Sequence, residues 1–361
     1  MTELGQILQQ SLAGQAPSEA QWAQLIQWEL GDLNRAQAWQ ITSGNVRCVL
    51  EERLDWLKRI VPLHADLPLP DQPLEAYLPL YWQLWLPLAL RLRADRQQQN
   101  HPLIEGFLGG QGTGKTTLTQ ILQRFLQVMG YHTVGLSIDD LYKTYAERQQ
   151  VKAIDPRLIW RGPPGTHDID LGIATLQSIR QAQPGQIAYL PRFDKSLHGG
   201  EGDRVDPEPV QDVDIVLFEG WFLGMRPVTP RCFEGDLPDP IFTPTDRQFA
   251  ADMNERLREY LPLWDLLDRL IVLCPEDYRM SQQWRRQAEH RMKAQGKAGM
   301  SDATIDEFVT YFWKALHPEV FLPPLKTQGG WADLVIEIGS NRVPRKIYTP
   351  KISTAFTDKG V

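Results

Sequence analysis

Residues 109–116 read GGQGTGKT and satisfy G-x-x-x-x-G-K-[ST] at Gly109, Gly114, Lys115 and Thr116. Glycines let successive backbone N–H groups converge on an anion with no Cβ in the way. A helix that begins at the lysine aims its positive end at the same point. The lysine ammonium then reaches β and γ oxygens, and the threonine hydroxyl ligates magnesium. The pattern predicts a triphosphate site made by Gly109, Gln111, Gly112, Thr113, Gly114, Lys115, Thr116 and Thr117, with Thr116 on the metal. Switches, motors and small-molecule kinases all use such a loop. The N-K-x-D element of a guanine-binding switch does not occur in the chain.

Two further groups of acids could do chemistry. Asp139 and Asp140 close the apolar run HTVGLSIDD. Neighbours on a strand point to opposite faces, so one of the two faces the phosphates. A kinase that phosphorylates a hydroxyl needs a base there to take the proton. The other reading is an acidic pair that caps the next helix. Glu219 ends the run DIVLFEG. A carboxylate at that place can hold a magnesium shell through water, or pair with a nearby cation.

These residues need elements to hold them. LIEGFLGG, HTVGLSIDD, DIVLFEGWF, DRLIVLCPED and ADLVIEIG are short apolar runs, and KTTLTQILQRFLQVMG reads as a helix stopped by Gly130. Continuous apolar runs separated by helices predict a three-layer α/β/α domain with a mostly parallel sheet. Ligands in such sheets sit beyond the carboxyl ends of the strands. Residues 1–100 look helical, with a capping-box spacing from Ser18 to Gln21. No strand signal precedes Leu103, and QQQNH at 97–101 reads as a linker. The expected organisation is a helical extension over 1–100, a nucleotide-binding kinase domain over 101–350 and a tail over 351–361. The proline- and glycine-rich segments 191–210 and 226–246 read as long loops.

Composition narrows the class. The net charge of −7 argues against a nucleic-acid surface. The three cysteines are far apart, without disulfide-framework or zinc spacing, which fits a reducing cytosol. The N-terminus reads as neither a signal nor a transit peptide. The most apolar stretch, YLPLYWQLWLPLALRLR, is too short for a bilayer and reads as a buried helix. No membrane partner is expected, and the expected location is the cytoplasm.

GGQGTGKTTL, SIDDLY, LPRFDKSLHGG and FEGWFLG together resemble the phosphoribulokinase/uridine kinase family of P-loop kinases. RGPPGTHDIDL and NERLREYLPLWDLLDRLIVL add to the likeness, which covers about residues 75–350. Within that family the chain is most similar to the branch that phosphorylates D-glycerate in photorespiratory salvage. The resemblance implies ATP and Mg2+ as cofactors and a small-molecule acceptor. It implies Asp139 as the base, Glu219 as a magnesium support, and a basic lid in QWRRQAEHRMK with Arg286, Arg291 and Lys293 over the phosphates.

On the acceptor side it points to Tyr142, to Arg161, His167 and Asp168 in one loop, and to Arg192, Lys195 and His198 in another. An arginine suits the carboxylate of glycerate because it grips it bidentately. A structural Arg161–Asp168 ion pair and ordinary loop histidines stay open as readings. So do other acceptors of the family, such as uridine, pantothenate or ribulose 5-phosphate, and a nucleotide-dependent binding module that is no kinase. The chain departs from the family in its hundred helical residues before the phosphate loop.

Overall fold

The computed structural model describes residues 3–70, 72–294, 296 and 299–351. The expected tail over 351–361 lies outside the described residues except for Lys351.

The N-terminal part is built from helices α1 (Glu3–Leu12), α2 (Glu19–Gly31), α3 (Leu33–Ala38), α4 (Val46–Ile60), α5 (Leu74–Leu80) and α6 (Leu86–Gln97). Ser18 caps α2 with the predicted reciprocal bonds to Gln21. The apolar stretch from Tyr77 is a buried helix interrupted by a π turn at Tyr81–Trp85, two residues after the helix-internal Pro79. In the proline-rich stretch, 67–70 and 72–73 are not helical.

Beyond it come β1 (Leu103–Gly109), α7 (Lys115–Val128), β2 (Thr133–Ser137), α8 (Tyr145–Ile154), α9 (Ile169–Gln181), β3 (Ile187–Asp194), β4 (Asp203–Gln211), β5 (Ile215–Gly220), α10 (Pro244–Arg256) and the short α11 (Leu261–Trp264). The chain continues through β6 (Arg269–Pro275), α12 (Met280–Ala294), α13 (Asp302–Ala315), α14 (Pro318–Thr327), β7 (Leu334–Ile338) and β8 (Pro344–Tyr348).

The main sheet has the order β2-β5-β1-β6-β7-β8. Its first five strands are parallel and β8 runs antiparallel to β7. All seven residues of β1 are buried, as a central strand covered on both faces requires. Helices lie on both faces, so the sheet is the middle of three layers. The carboxyl ends of β1, β2 and β5 therefore converge, and β1 is the strand that turns into the phosphate loop. One apolar core joins the N-terminal helices to this frame. Leu50, Leu57, Trp82 and Leu86 pack in the same cluster as Phe107, Phe125 and Ile271, and Tyr81 stacks on Phe125 of α7 at 5.5 Å.

Two expectations change. The segment 191–210 is no open loop: β3 and β4 form an antiparallel ribbon apart from the main sheet. Pro191, Pro207 and Pro209 mask the strand pattern, yet a two-stranded ribbon tolerates prolines because much of its backbone needs no ladder partner. The antiparallel β8 also went unforeseen. Its sequence, PRKIY, is short and mostly polar, as an edge strand can be.

Candidate active site

The loop after β1 turns twice through left-handed backbone, at Gly112 (φ +75) and Gly114 (φ +87). Neither turn suits a side chain. A Cβ on Gly112 would also stand 2.5 Å from the Cβ of Trp284. No side chain caps the start of α7 after Gly114, so its first N–H groups remain for an anion. Lys115 Nζ donates to the Gly110 carbonyl at 3.2 Å and lies 3.9 Å from Glu219 Oε2. Burial lowers its pKa, against the pull of Glu219 and Asp139. Phosphate oxygens would restore the solvation that this ammonium has lost. Thr116 Oγ1 donates to Glu219 Oε1 at 2.9 Å.

The two strand-end acids part company. Asp140 accepts from the Ser137 N–H at 2.9 Å and from Arg192 Nη1 at 3.2 Å, which closes a capping box after β2. Burial raises its pKa. Asp139 accepts from Lys195 Nζ at 2.6 Å and from the Tyr142 hydroxyl at 2.8 Å. Burial pushes its pKa up, but Lys195 and Tyr142 outweigh it and hold the carboxyl below its ordinary value.

Around Asp139 the loops assemble a ring of cations and aromatics. Tyr142 stacks on His167 at 4.7 Å and meets Phe193 edge-on. The Arg161 guanidinium lies over both Tyr142 and Phe193. Its Nη1 donates to the carbonyls of Gly200 at 2.7 Å and Glu201 at 3.0 Å. Arg148 holds the same turn through the carbonyls of Glu201 and Gly202. The turn joining β3 to β4, which follows Lys195, is thus tied to α8 and to the 161–168 loop.

Several expected acceptor residues have local partners instead. Asp168 caps α9 through the Leu171 N–H at 3.0 Å and pairs with Arg204 Nη2 at 2.7 Å, so its ion pair is with Arg204 and not Arg161. Arg192 bridges Asp140 and Glu208. His198 bonds Asp203 at 3.0 Å and stacks on Tyr145 at 4.1 Å.

On the expected lid, Arg286 is paired with Asp306 of α13. Arg291 Nε donates to the Gln287 carbonyl, and Lys293 packs beside Gly299. Arg342, in the β7–β8 turn, drew no attention in the sequence. Its Nε donates to the Gly112 carbonyl at 3.3 Å, and its guanidinium lies 5.3 Å from the Trp284 ring centre. Tyr260, bonded to His167, was equally unforeseen.

Among the described residues no group of three His, Cys, Asp or Glu forms a metal cage. The hydroxyl and carboxylate of Thr116 and Glu219 fit a magnesium ion, which takes one or two protein oxygens and fills its octahedron with phosphate and water. A parallel sheet of order 2-5-1-6-7, a glycine loop on its central strand and a carboxylate beside a second strand end define a P-loop kinase.

The comparisons narrow this class. The chain is 30% identical over 318 residues to the chloroplastic D-glycerate 3-kinase of Arabidopsis thaliana, a match over 83% of this chain and 65% of that protein. It therefore spans slightly less than two thirds of the Arabidopsis relative. It is 32% identical over 266 residues to a probable ATP-dependent kinase of Saccharomyces cerevisiae, covering 69% of this chain and 88% of the relative. The solved D-glycerate 3-kinase of Cryptococcus neoformans superposes with a TM-score of 0.65 at 30% identity, over 72% of this chain and 96% of that one. No protein-family model matches the chain. The chain belongs to the D-glycerate 3-kinase family.

Proposed function

We propose that the protein transfers the γ-phosphoryl group of MgATP to the terminal hydroxyl of D-glycerate, giving 3-phosphoglycerate and ADP. The observation that carries the reading is Asp139: a half-buried carboxylate at the end of β2, held ionised, close enough to Lys115 for each to feel the other's charge, and surrounded by cations.

The backbone of Gly110–Gly114 and the start of α7 bind the β and γ phosphates. Lys115 neutralises charge there. Thr116 and Glu219 would hold a magnesium ion, whose charge would offset that of the phosphate oxygens. The acceptor lies against Asp139. Its carboxylate needs cations: Lys195 bonds Asp139, and Arg161 lies over the ring of Tyr142, which also bonds Asp139. In the described structure Lys195 covers Asp139. Glycerate draws the ammonium to its own carboxylate and leaves Asp139 free to accept the hydroxyl proton.

The hydroxyl oxygen then forms its bond to γ-phosphorus as the bond to the β–γ bridging oxygen breaks, and ADP carries the electron pair away. Arg286, Arg291 and Lys293 complete the site from the lid once Arg286 leaves Asp306. That closure excludes water, which otherwise competes for the phosphoryl group.

Among the described residues no helix is long and apolar enough to cross a membrane. Cys48, Cys232 and Cys274 are unpaired, which supports a cytoplasmic location. Incubation with γ-labelled ATP and D-glycerate tests the reading. Label recovered on phosphoglycerate is the expected product. Label found only as inorganic phosphate overturns it.

A further inference from the structure

His167 is 1% exposed, and its ring has one bonded nitrogen. Nδ1 lies 2.8 Å from the hydroxyl of Tyr260, while Nε2 is buried without a partner. The Tyr260 oxygen already accepts from the Gly165 N–H at 2.9 Å. With the Tyr260 proton donated to Nδ1, the imidazole is the Nε2–H tautomer. Burial raises the Tyr260 pKa, so the phenol stays protonated. Burial also pushes His167 down to about 3, so the ring is neutral at any working pH. Phe222 flanks both rings, at 5.6 Å from His167 and 5.0 Å from Tyr260.

The opposite side of this assembly reaches the base. The His167 ring is the surface on which Tyr142 stacks, at 4.7 Å and 22°. Their backbones also pair as an antiparallel bridge. The Tyr142 hydroxyl then donates to Asp139 at 2.8 Å.

We propose that Tyr260 is a positioning residue for phosphoryl transfer, acting on Asp139 through the stacked pair His167 and Tyr142. The inference rests on Asp139 being the base. Tyr260 comes from the junction of α10 and α11, and its hydroxyl bonds His167 and the Gly165 N–H. It sets where the imidazole sits. The imidazole sets the plane of Tyr142, and that plane sets the hydrogen bond that keeps Asp139 ionised. Without the Tyr260 hydroxyl both nitrogens of a buried ring lack partners, and the ring shifts to find one. The groups whose charge Asp139 feels are Lys195, His167, Lys115 and Asp140, and of these only His167 bonds Tyr260.

The experiment compares Tyr260→Phe, His167→Phe and the double mutant. His167→Phe keeps a flat ring under Tyr142 but cannot accept the Tyr260 proton. Each single change should lower kcat about tenfold and leave KM for MgATP within about twofold, with the double mutant no worse than either single. In each, the acid limb of the kcat/KM profile should move to higher pH, because Asp139 loses a well-aligned donor. A residue that only filled the core would change the unfolding midpoint and leave that limb in place.

Losses that multiply in the double mutant, or an unmoved acid limb in a folded variant, overturn the proposal. Should Tyr260→Phe not fold, Tyr142→Phe carries the test: the limb must rise, and an unmoved limb overturns the relay. Asp139→Asn separates the two ideas. If it stays active, the base assignment falls and takes the relay with it. If it is inactive while Tyr260→Phe behaves as wild type, the relay alone falls.

Discussion

Lys195 Nζ lies 2.6 Å from Asp139 Oδ2, so the carboxylate proposed as the base is held by an ammonium from the turn after β3. The pairing has a sign. Lys195 favours the ionised carboxyl, and Asp139 sits below its ordinary pKa with burial opposing. A base of that kind is competent above its depressed pKa and fails as pH falls through it. Lys195→Met should therefore shift the acid limb of kcat/KM to higher pH and raise KM for D-glycerate. A limb that stays put, with an unchanged KM, would show that Lys195 neither tunes the base nor meets the acceptor.

Asp139→Asn removes the proposed proton acceptor but keeps the shape. The expected loss in kcat is about 10²–10⁴-fold. Nucleotide affinity, read by isothermal titration with ADP, should hardly change, because Asp139 bonds Lys195 and Tyr142 and not the phosphate loop.

Glu219→Gln tests the metal assignment. Glu219 accepts from Thr116 Oγ1 at 2.9 Å and lies near Lys115. Its loss should raise the Mg2+ concentration needed for half-maximal rate and lower kcat at saturation. A titration superimposable on wild type would contradict the assignment.

The N-terminal helices hold a buried ion pair whose loss should be felt in stability. Glu29 and Arg53 are almost fully enclosed, with Arg53 Nη1 3.0 Å from Glu29 Oε2 and 3.1 Å from the Trp82 carbonyl. Glu29→Ala leaves an uncompensated buried guanidinium and should cost about 3–5 kcal/mol in urea unfolding. Tyr81 and Trp82 share the core of α7. Weaker ADP binding should therefore accompany the lost stability.

Acid sensitivity follows from two buried histidines. Burial lowers His167 to about 3 and His317 to about 4, from an ordinary 6.5. Between those values and 6.5 the unfolded chain binds protons that the folded one cannot. Stability should therefore fall as pH drops from about 6.5 towards about 4. Unfolding midpoints across that range check it. Replacing His317 by Gln should flatten the fall.

The sequence made some of this legible and hid the rest for physical reasons. The phosphate loop, the SIDD strand end and Glu219 are contiguous motifs, each closing an apolar run, so their place at the strand ends could be read. The β3–β4 ribbon was hidden by prolines at 191, 207 and 209. The partner of Asp168 is Arg204, 36 residues away on that unseen ribbon, so the sequence offered only the nearby Arg161 as its ion-pair partner. Tyr260 stands 93 residues from His167 and looks like one more core aromatic until the hydroxyl is seen bonded. Arg342 reaches Gly112 across 230 residues, from a turn ahead of an edge strand that carries little apolar signal.

The most direct measurement is ADP release with MgATP alone and with D-glycerate, uridine, pantothenate or ribulose 5-phosphate added singly. A D-glycerate kinase gives a low rate with MgATP alone and a large rise with D-glycerate only. A rise with another acceptor instead, or ATP hydrolysis that needs no acceptor, would contradict that reading.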